Sequence, residues 1–174
     1  LLADPDRARA QAPVGARAPN SVTFPSGCHA AEVTVDPQTG EVALVAYAAV
    51  DDAGRVLSPD VVHGQIRGGI AQGFGGAVLE QIVHDADGQL LTSSFMDYGL
   101  PRAADLVPLT AHIVEIPSPN NALGVKGVGE AGTTGALGAL ANAVADALAS
   151  VGRGPLDIPF TPFRVFQALR ETGR

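Results

Sequence analysis

Alternating apolar positions predict a β-hairpin in the first third of the chain. The apolar residues stand at every second position on both sides of the turn sequence DPQTG, which occupies positions 36–40. They are Val33, Val35, Val42, Leu44 and Ala46. A period of two is the side-chain period of a β-strand, and a turn that ends in glycine is typical of hairpins. We therefore predict two antiparallel strands, the first beginning near Cys28.

A spacing of four predicts a long helix after this hairpin. Ser58 and Pro59 suit the N-cap and the first helical position. The apolar residues that follow at this spacing are Val62, Ile66, Ile70, Phe74, Val78 and Ile82. A helix from about Pro59 to Glu80 is expected, yet it contains six glycines, each costing about 1 kcal/mol relative to alanine. Either the helix packs tightly against a sheet, or another molecule approaches its backbone closely.

The remaining patterns complete an α+β fold. We predict a second hairpin at 81–92, a strand near 109–116, a long Ala-rich helix at about 130–150 and a short helix from Pro162 to about Leu169. The apolar residues Leu140, Val144 and Leu148 of the long helix fit an ordinary core face. The fold class is therefore antiparallel hairpins packed with two long helices and a short C-terminal helix.

Composition limits the domain organisation and the classes of function. Residues 1–20 are rich in Ala, Arg and Pro and have no apolar period, so we interpret them as a linker before a domain at 21–174. The formal net charge of −7 argues against a nucleic-acid partner. The sequence contains no apolar run long enough for a membrane span. Because the chain opens on Leu1 rather than Met, we expect a piece of a longer protein.

The Gly-rich segment at 127–132 is the first candidate site. It spells G-x-G-x-x-G before the long helix, but about ten residues separate it from the preceding strand, whereas a dinucleotide-binding turn leaves its strand directly. A Gly-rich loop at a helix N-terminus still favours anions, phosphates or a pterin. Glu130 lies within this segment, where it either interacts with the helix dipole or acts as a general base.

Histidine and cysteine chemistry receives little support from the spacing. The four histidines lack metal-ligand spacing. They are His29, His63, His84 and His112. Neighbouring Cys28 and His29 would point to opposite faces of a strand, which argues against a catalytic pair, and we expect Cys28 to be a buried, inert thiol. A single cysteine also excludes a disulfide or a multi-cysteine metal site within this chain.

Several motifs, taken in order, resemble one enzyme family. They are GQIRGGIAQG at 64–73, SFMDY at 94–98 followed by PRA at 101–103, SPN at 118–120 and GVKGVGEAG at 124–132. From Phe24 to the C-terminus the chain resembles the molybdopterin-binding large subunit of the xanthine dehydrogenase and aldehyde oxidase family. It is most similar to the bacterial branch that includes carbon monoxide dehydrogenase and the isoquinoline and nicotinate hydroxylases.

The resemblance implies roles for particular residues. Glu130 matches the family's general base in a hydroxylation of aldehydes or N-heterocycles that takes its oxygen from water. Gln65 matches a glutamine that lies against the pterin cofactor. The backbone that lines the same cofactor corresponds to Lys126, Gly127, Val128 and Gly129. The resemblance assigns no metal ligand to this chain.

The resemblance also implies a larger assembly. The expected cofactor is molybdenum-molybdopterin in its cytosine dinucleotide form, shared with the rest of the large subunit or with a split-gene companion. Iron–sulfur clusters and FAD are expected on partner subunits, and the substrate on the family's pattern is a small molecule. A cytoplasmic location and an exposed apolar surface on the isolated, inactive piece are also expected. Two alternatives are a non-catalytic interaction module of the same fold and a dinucleotide-binding oxidoreductase domain.

Overall fold

The computed structural model describes residues 22–170, and the predicted linker at 1–20 lies outside the described residues. Within the described part, three strands form one sheet in the order β1-β2-β3: β1 is Ser26–Val35, β2 is Val42–Asp52 and β3 is Thr110–Val114. The α-helices are α1 at Pro59–Phe74, α2 at Ala131–Ala149 and α3 at Pro162–Arg170. These elements confirm the predicted α+β class, its two long helices and its short C-terminal helix.

The predicted first hairpin is present, but it carries a β-bulge. Val45 has no partner, because Leu44 and Ala46 pair with consecutive residues of β1. An extra residue in a strand reverses which side chains face inward beyond it. Leu44 is therefore buried, but Ala46 is exposed and Tyr47 is buried in its place. The prediction that Ala46 shares a face with Leu44 is wrong for this reason.

The third strand pairs differently from the predicted antiparallel pattern. β3 runs parallel to β2, with Ala48 paired to Thr110 and Asp52 paired to Val114. The chain between the two strands contains α1, and a helical crossover returns a strand in the parallel direction. The sheet therefore contains one antiparallel and one parallel pair of strands, and the prediction that all strands pair in antiparallel hairpins is wrong on this point.

The predicted second hairpin at 81–92 is reduced to a turn with one isolated antiparallel bridge. His84 and Leu90 form that bridge, and Gly88 has the positive φ of 84° that the turn requires. Ile82 is 66% exposed, so the segment buries no apolar face against the core. Without such burial, two strands do not form here, and the prediction of a second hairpin is wrong.

The core lies between the sheet and the two long helices. In α1, Ile66, Ile70 and Phe74 are buried, and a π-helical turn at Gly75–Leu79 continues the helix. In α2 the buried apolar residues are Ala136, Leu140, Val144 and Leu148. The spacing-four predictions are confirmed for both helices, except that Ile82 lies beyond the end of the first.

Glycines allow α1 and α2 to pack closely. A Cβ on Gly132 would lie 2.3 Å from the carbonyl oxygen of Ile66, and one on Gly73 would lie 2.5 Å from the Cβ of Ala136. The tight packing that the sequence suggested therefore occurs against a helix rather than the sheet. Gly64 and Gly68 have open space where a Cβ would stand, so helix packing does not explain them.

Candidate active site

A pocket of about 620 Å³ opens beside the start of α2. One wall comes from the chain entering β1, another from Asp51 at the end of β2, and a third from the Gly-rich loop and first turn of α2. The lining residues are Thr23, Phe24, Pro25, Ser26, Gly27, His29, Asp51, Gly127, Gly129, Glu130, Ala131, Thr134 and Gly135. Three of the six residues predicted for the site thus line one cavity: Gly127, Gly129 and Glu130.

Glu130 occupies the N-cap position of α2. Its backbone carbonyl accepts the Thr134 N–H at 3.0 Å, which starts the helix. Its side chain is exposed and makes no capping hydrogen bond. The carboxylate is therefore not used to close the helix end, and it can act in the pocket that Glu130 lines.

An ion pair anchors the loop that leads to Glu130. Lys126 Nζ contacts the carboxylate of Asp52, whose Oδ1 also accepts the N–H groups of Gly54 at 2.9 Å and Ile116 at 3.0 Å. The side chains of Asp52 and Lys126 are 8% and 15% exposed. The ammonium of Lys126 is thus used to hold the loop against the end of β2.

We expect this ion pair to make the free energy of unfolding fall as the pH becomes acidic. Burial acts to raise the pKa of Asp52, but the hydrogen bonds from Lys126, Gly54 and Ile116 outweigh it, so this pKa lies below its usual value. A lowered carboxyl pKa in the folded state adds stability above the unfolded-state value, about 4, and loses it as pH falls through the folded-state pKa. Urea unfolding of Asp52→Asn should show a loss of about 1–2 kcal/mol at pH 7.

The same loss should shrink as the pH falls below about 4 and vanish only below the lower folded-state pKa of Asp52, where the wild-type carboxyl group is neutral in the folded state as well. Asp87→Asn provides a matched control on an exposed turn. An Asp52→Asn protein as stable as the wild type at pH 7 would contradict the anchor.

The other three predicted cofactor residues, two of them in the loop itself, do not line the pocket. Gln65 is exposed on α1, and its Oε1 lies 4.0 Å from where a Cβ of Gly129 would stand. Val128 is half-buried and packs against the hydrophobic core. The side chain of Lys126 is held by Asp52. The structure therefore brings Gln65 beside the loop and leaves Val128 and Lys126 outside the pocket lining.

Sequence reasoning missed three polar residues at this site. The Nδ1 of His29 lies 2.7 Å from the hydroxyl of Tyr47, and its Nε2 lies 3.2 Å from Asp51 Oδ2. We call this set the His29 cluster. The alternation of β1 could have placed His29 inward, but the bulge in β2 determines that Tyr47 and Asp51 meet it.

Cys28 corrects another expectation. It was predicted to be buried, but it is exposed, because it lies on the face of β1 opposite to the core. The side chain of His29 is only 3% exposed, which confirms that the two neighbours point to opposite faces. In residues 22–170, no group of three or more His, Cys, Asp or Glu side chains is arranged to bind a metal ion.

Comparison with known proteins identifies the family. A family model described as "Molybdopterin cofactor-binding domain" matches residues 7–107. The chain belongs to this family. The family match and the relatives below confirm the resemblance found in the motifs. The G-x-G-x-x-G segment also lacks the context of a dinucleotide-binding turn, because β3 ends at Val114 and α2 begins only at Ala131.

Two sequence relatives and one solved structure illustrate the similarity. The chain is 42% identical over 147 residues to the nicotine 6-hydroxylase large subunit of Paenarthrobacter nicotinovorans, covering 84% of this chain and 18% of that protein. It is 37% identical over 153 residues to the carbon monoxide dehydrogenase large chain of Hydrogenophaga pseudoflava, covering 88% and 19%. Quinoline 2-oxidoreductase from Pseudomonas putida 86 superposes with a TM-score of 0.85 at 35% identity, covering 97% and 23%.

The chain therefore spans about a fifth of the length of the curated relatives it matches. Its fold is that of part of a molybdenum hydroxylase large subunit. No helix in residues 22–170 combines the length and the apolar character that a membrane crossing would require.

Proposed function

We propose that this chain provides the general base and one wall of the cofactor site in a molybdenum-dependent hydroxylase. The substrate would be an aldehyde or an N-heterocycle, and water would supply the inserted oxygen. The observation that carries the proposal is the position of Glu130, which lines the pocket and whose side chain does not cap its helix. Membership of the molybdopterin-binding family supports the same assignment.

The residues around the pocket fit a pterin cofactor. Gly127 has open space where a Cβ would stand, so a flat ring system can approach its backbone. Gln65 adds an exposed amide beside the loop, and amides offer both donors and acceptors to a pterin ring. These groups suit hydrogen bonding to the organic part of the cofactor rather than ligation of its metal.

The residues of this chain would accept a proton from the nucleophile and hold the loop that carries the base. When bound, the cofactor supplies the two-electron oxidation of the substrate. Glu130 accepts the proton that the oxygen nucleophile releases as it attacks the electrophilic carbon of the substrate. Gly127 and Gly129 allow the cofactor to approach the loop backbone closely. The ion pair of Asp52 with Lys126 keeps this loop in place.

The larger assembly is part of the same proposal. We propose that the cofactor carries the cytosine dinucleotide, that iron–sulfur and FAD subunits complete the enzyme, and that it works in the cytoplasm. One relative is a "large subunit" and another a "complex subunit gamma", which supports a multi-subunit enzyme. Phe95 and Met96 are 84% and 96% exposed, which suits contact with further protein.

Isotope labelling tests this function. The complete large subunit, isolated with its partners, should contain molybdenum and incorporate ¹⁸O from labelled water into the oxidised product. Candidate substrates would be a panel of aldehydes and N-heterocycles with an artificial electron acceptor. An assembly that contains no molybdenum and oxidises none of them would favour the interaction module instead.

A further inference from the structure

The His29 cluster is a buried polar group in the wall of the Glu130 pocket that the proposed reaction does not use. His29 lies on β1, and Tyr47 and Asp51 lie on β2. The side chains of His29 and Asp51 are each only 3% exposed, yet both residues line the pocket. Polar groups so deeply buried are costly unless they are hydrogen-bonded, and the cluster satisfies them mutually.

Two glycines make room for the cluster. A Cβ on Gly135 of α2 would lie 2.5 Å from Nδ1 of His29, so the imidazole packs directly on the helix backbone. A Cβ on Gly27 of β1 would lie 2.3 Å from Asp51 Oδ1. The imidazole and the carboxylate thus fill fixed spaces, and neither can turn without losing its packing.

Hydrogen-bonding chemistry sets the direction of the bond to Asp51. An ionised carboxylate only accepts, so Nε2 of His29 donates to Asp51. On a neutral imidazole, Nδ1 then accepts the hydroxyl hydrogen of Tyr47. Burial, followed by the negative charge of Asp51, raises the pKa of Tyr47, so this hydroxyl keeps its proton and remains a donor. The Asp51 carboxylate is thereby held on the imidazole in the pocket wall.

This arrangement matters because the pocket holds two carboxyl groups. Its titratable lining residues are His29, Asp51 and Glu130. Tyr47 faces the imidazole from β2, and the backbone of Gly135, which has no titratable group, packs against it from α2. A second free carboxylate near a base makes that base harder to ionise, because like charges repel.

We propose that His29 is a positioning residue that holds the Asp51 carboxylate against the wall and away from Glu130. The second carboxylate of the pocket is then kept on its hydrogen bond in the wall instead of turning toward Glu130. This inference rests on the proposed function, in which Glu130 is the base.

The test uses His29 variants in the complete large subunit assembled with its partners. His29→Leu and His29→Asn both lose the bond to Asp51, whereas His29→Gln keeps a donor that can reach it. The first two should move the acid limb of the kcat/KM profile up by about one pH unit. Crystal structures should show Asp51 turned into the pocket in these two variants and held against the wall in His29→Gln.

A double variant separates charge from packing. Adding Asp51→Asn to His29→Leu should return the acid limb to its wild-type position, because the second charge is gone. His84→Asn, at an exposed turn, is the control and should leave the profile unchanged. An unmoved acid limb with Asp51 still at the wall in both His29→Leu and His29→Asn would overturn the proposal, as would a double variant that keeps the shift.

The inference and the proposed function fail in different ways. Normal turnover in a Glu130→Gln enzyme would refute the assignment of Glu130 as the base, and with it the proposed function. An inactive Glu130→Gln enzyme, combined with an unmoved acid limb in the His29 variants, would refute only the role of His29.

Discussion

Glu130→Gln in the assembled enzyme should keep its molybdenum and lose turnover by about 10²–10⁴-fold, the range that a positioned general base contributes. Glutamine has nearly the same size and can still occupy the N-cap position of α2, where Glu130 makes no capping hydrogen bond. The fold and the pocket should therefore be unchanged. Only the ability to accept a proton is removed, so kcat should fall while the metal content stays stoichiometric.

Glu32→Gln is the matched control for this experiment. Glu32 is exposed on β1, outside the pocket lining, and its substitution should leave kcat and molybdenum content at wild-type levels. Normal turnover in Glu130→Gln would refute the assignment of the base. Loss of molybdenum together with activity would show instead that Glu130 acts in cofactor retention.

Gly132→Val should destabilise the fold by about 3 kcal/mol, at the upper end of the usual cost of overpacking. The added Cβ would stand 2.3 Å from the carbonyl oxygen of Ile66 and 3.0 Å from the backbone nitrogen of Ile70. Both atoms belong to the backbone of α1, so no side-chain rotation relieves the contact. The two helices must separate at this point, and the core between them loses packing.

Gly138→Ala is the opposite case on the same helix. Gly138 is exposed and has nothing within 4 Å of its Cβ position, so alanine should stabilise α2 by up to about 1 kcal/mol through helix propensity. Urea unfolding of both variants measures the two effects on one scale. Equal stability of Gly132→Val and wild type would contradict the close helix contact.

The helices could be predicted because their signals are local. The spacing-four residues of α2 are all buried, since a regular helix presents one face to the core whatever lies beyond it. Glu130 was found in the same way, from a Gly-rich helix start and a family motif. Its position in the pocket follows from where α2 begins.

The His29 cluster and the ion pair of Lys126 with Asp52 depend on contacts that the sequence pattern does not show. Val45 gives no local sign that it is unpaired, yet this bulge turns Tyr47 and Asp51 toward His29. Lys126 lies in a motif associated with the cofactor, but its ammonium binds Asp52, 74 positions away in the chain. Non-local pairing of this kind is decided by tertiary packing rather than by periodicity.

The most direct test of the central claim is an anomalous diffraction map of the complete protein, recorded at the molybdenum absorption edge. We expect a molybdenum peak over the pocket that Glu130 lines, as a base acting on the bound cofactor's oxygen nucleophile requires. A peak at a site that Glu130 does not line, or a fully assembled enzyme without a peak, would contradict it.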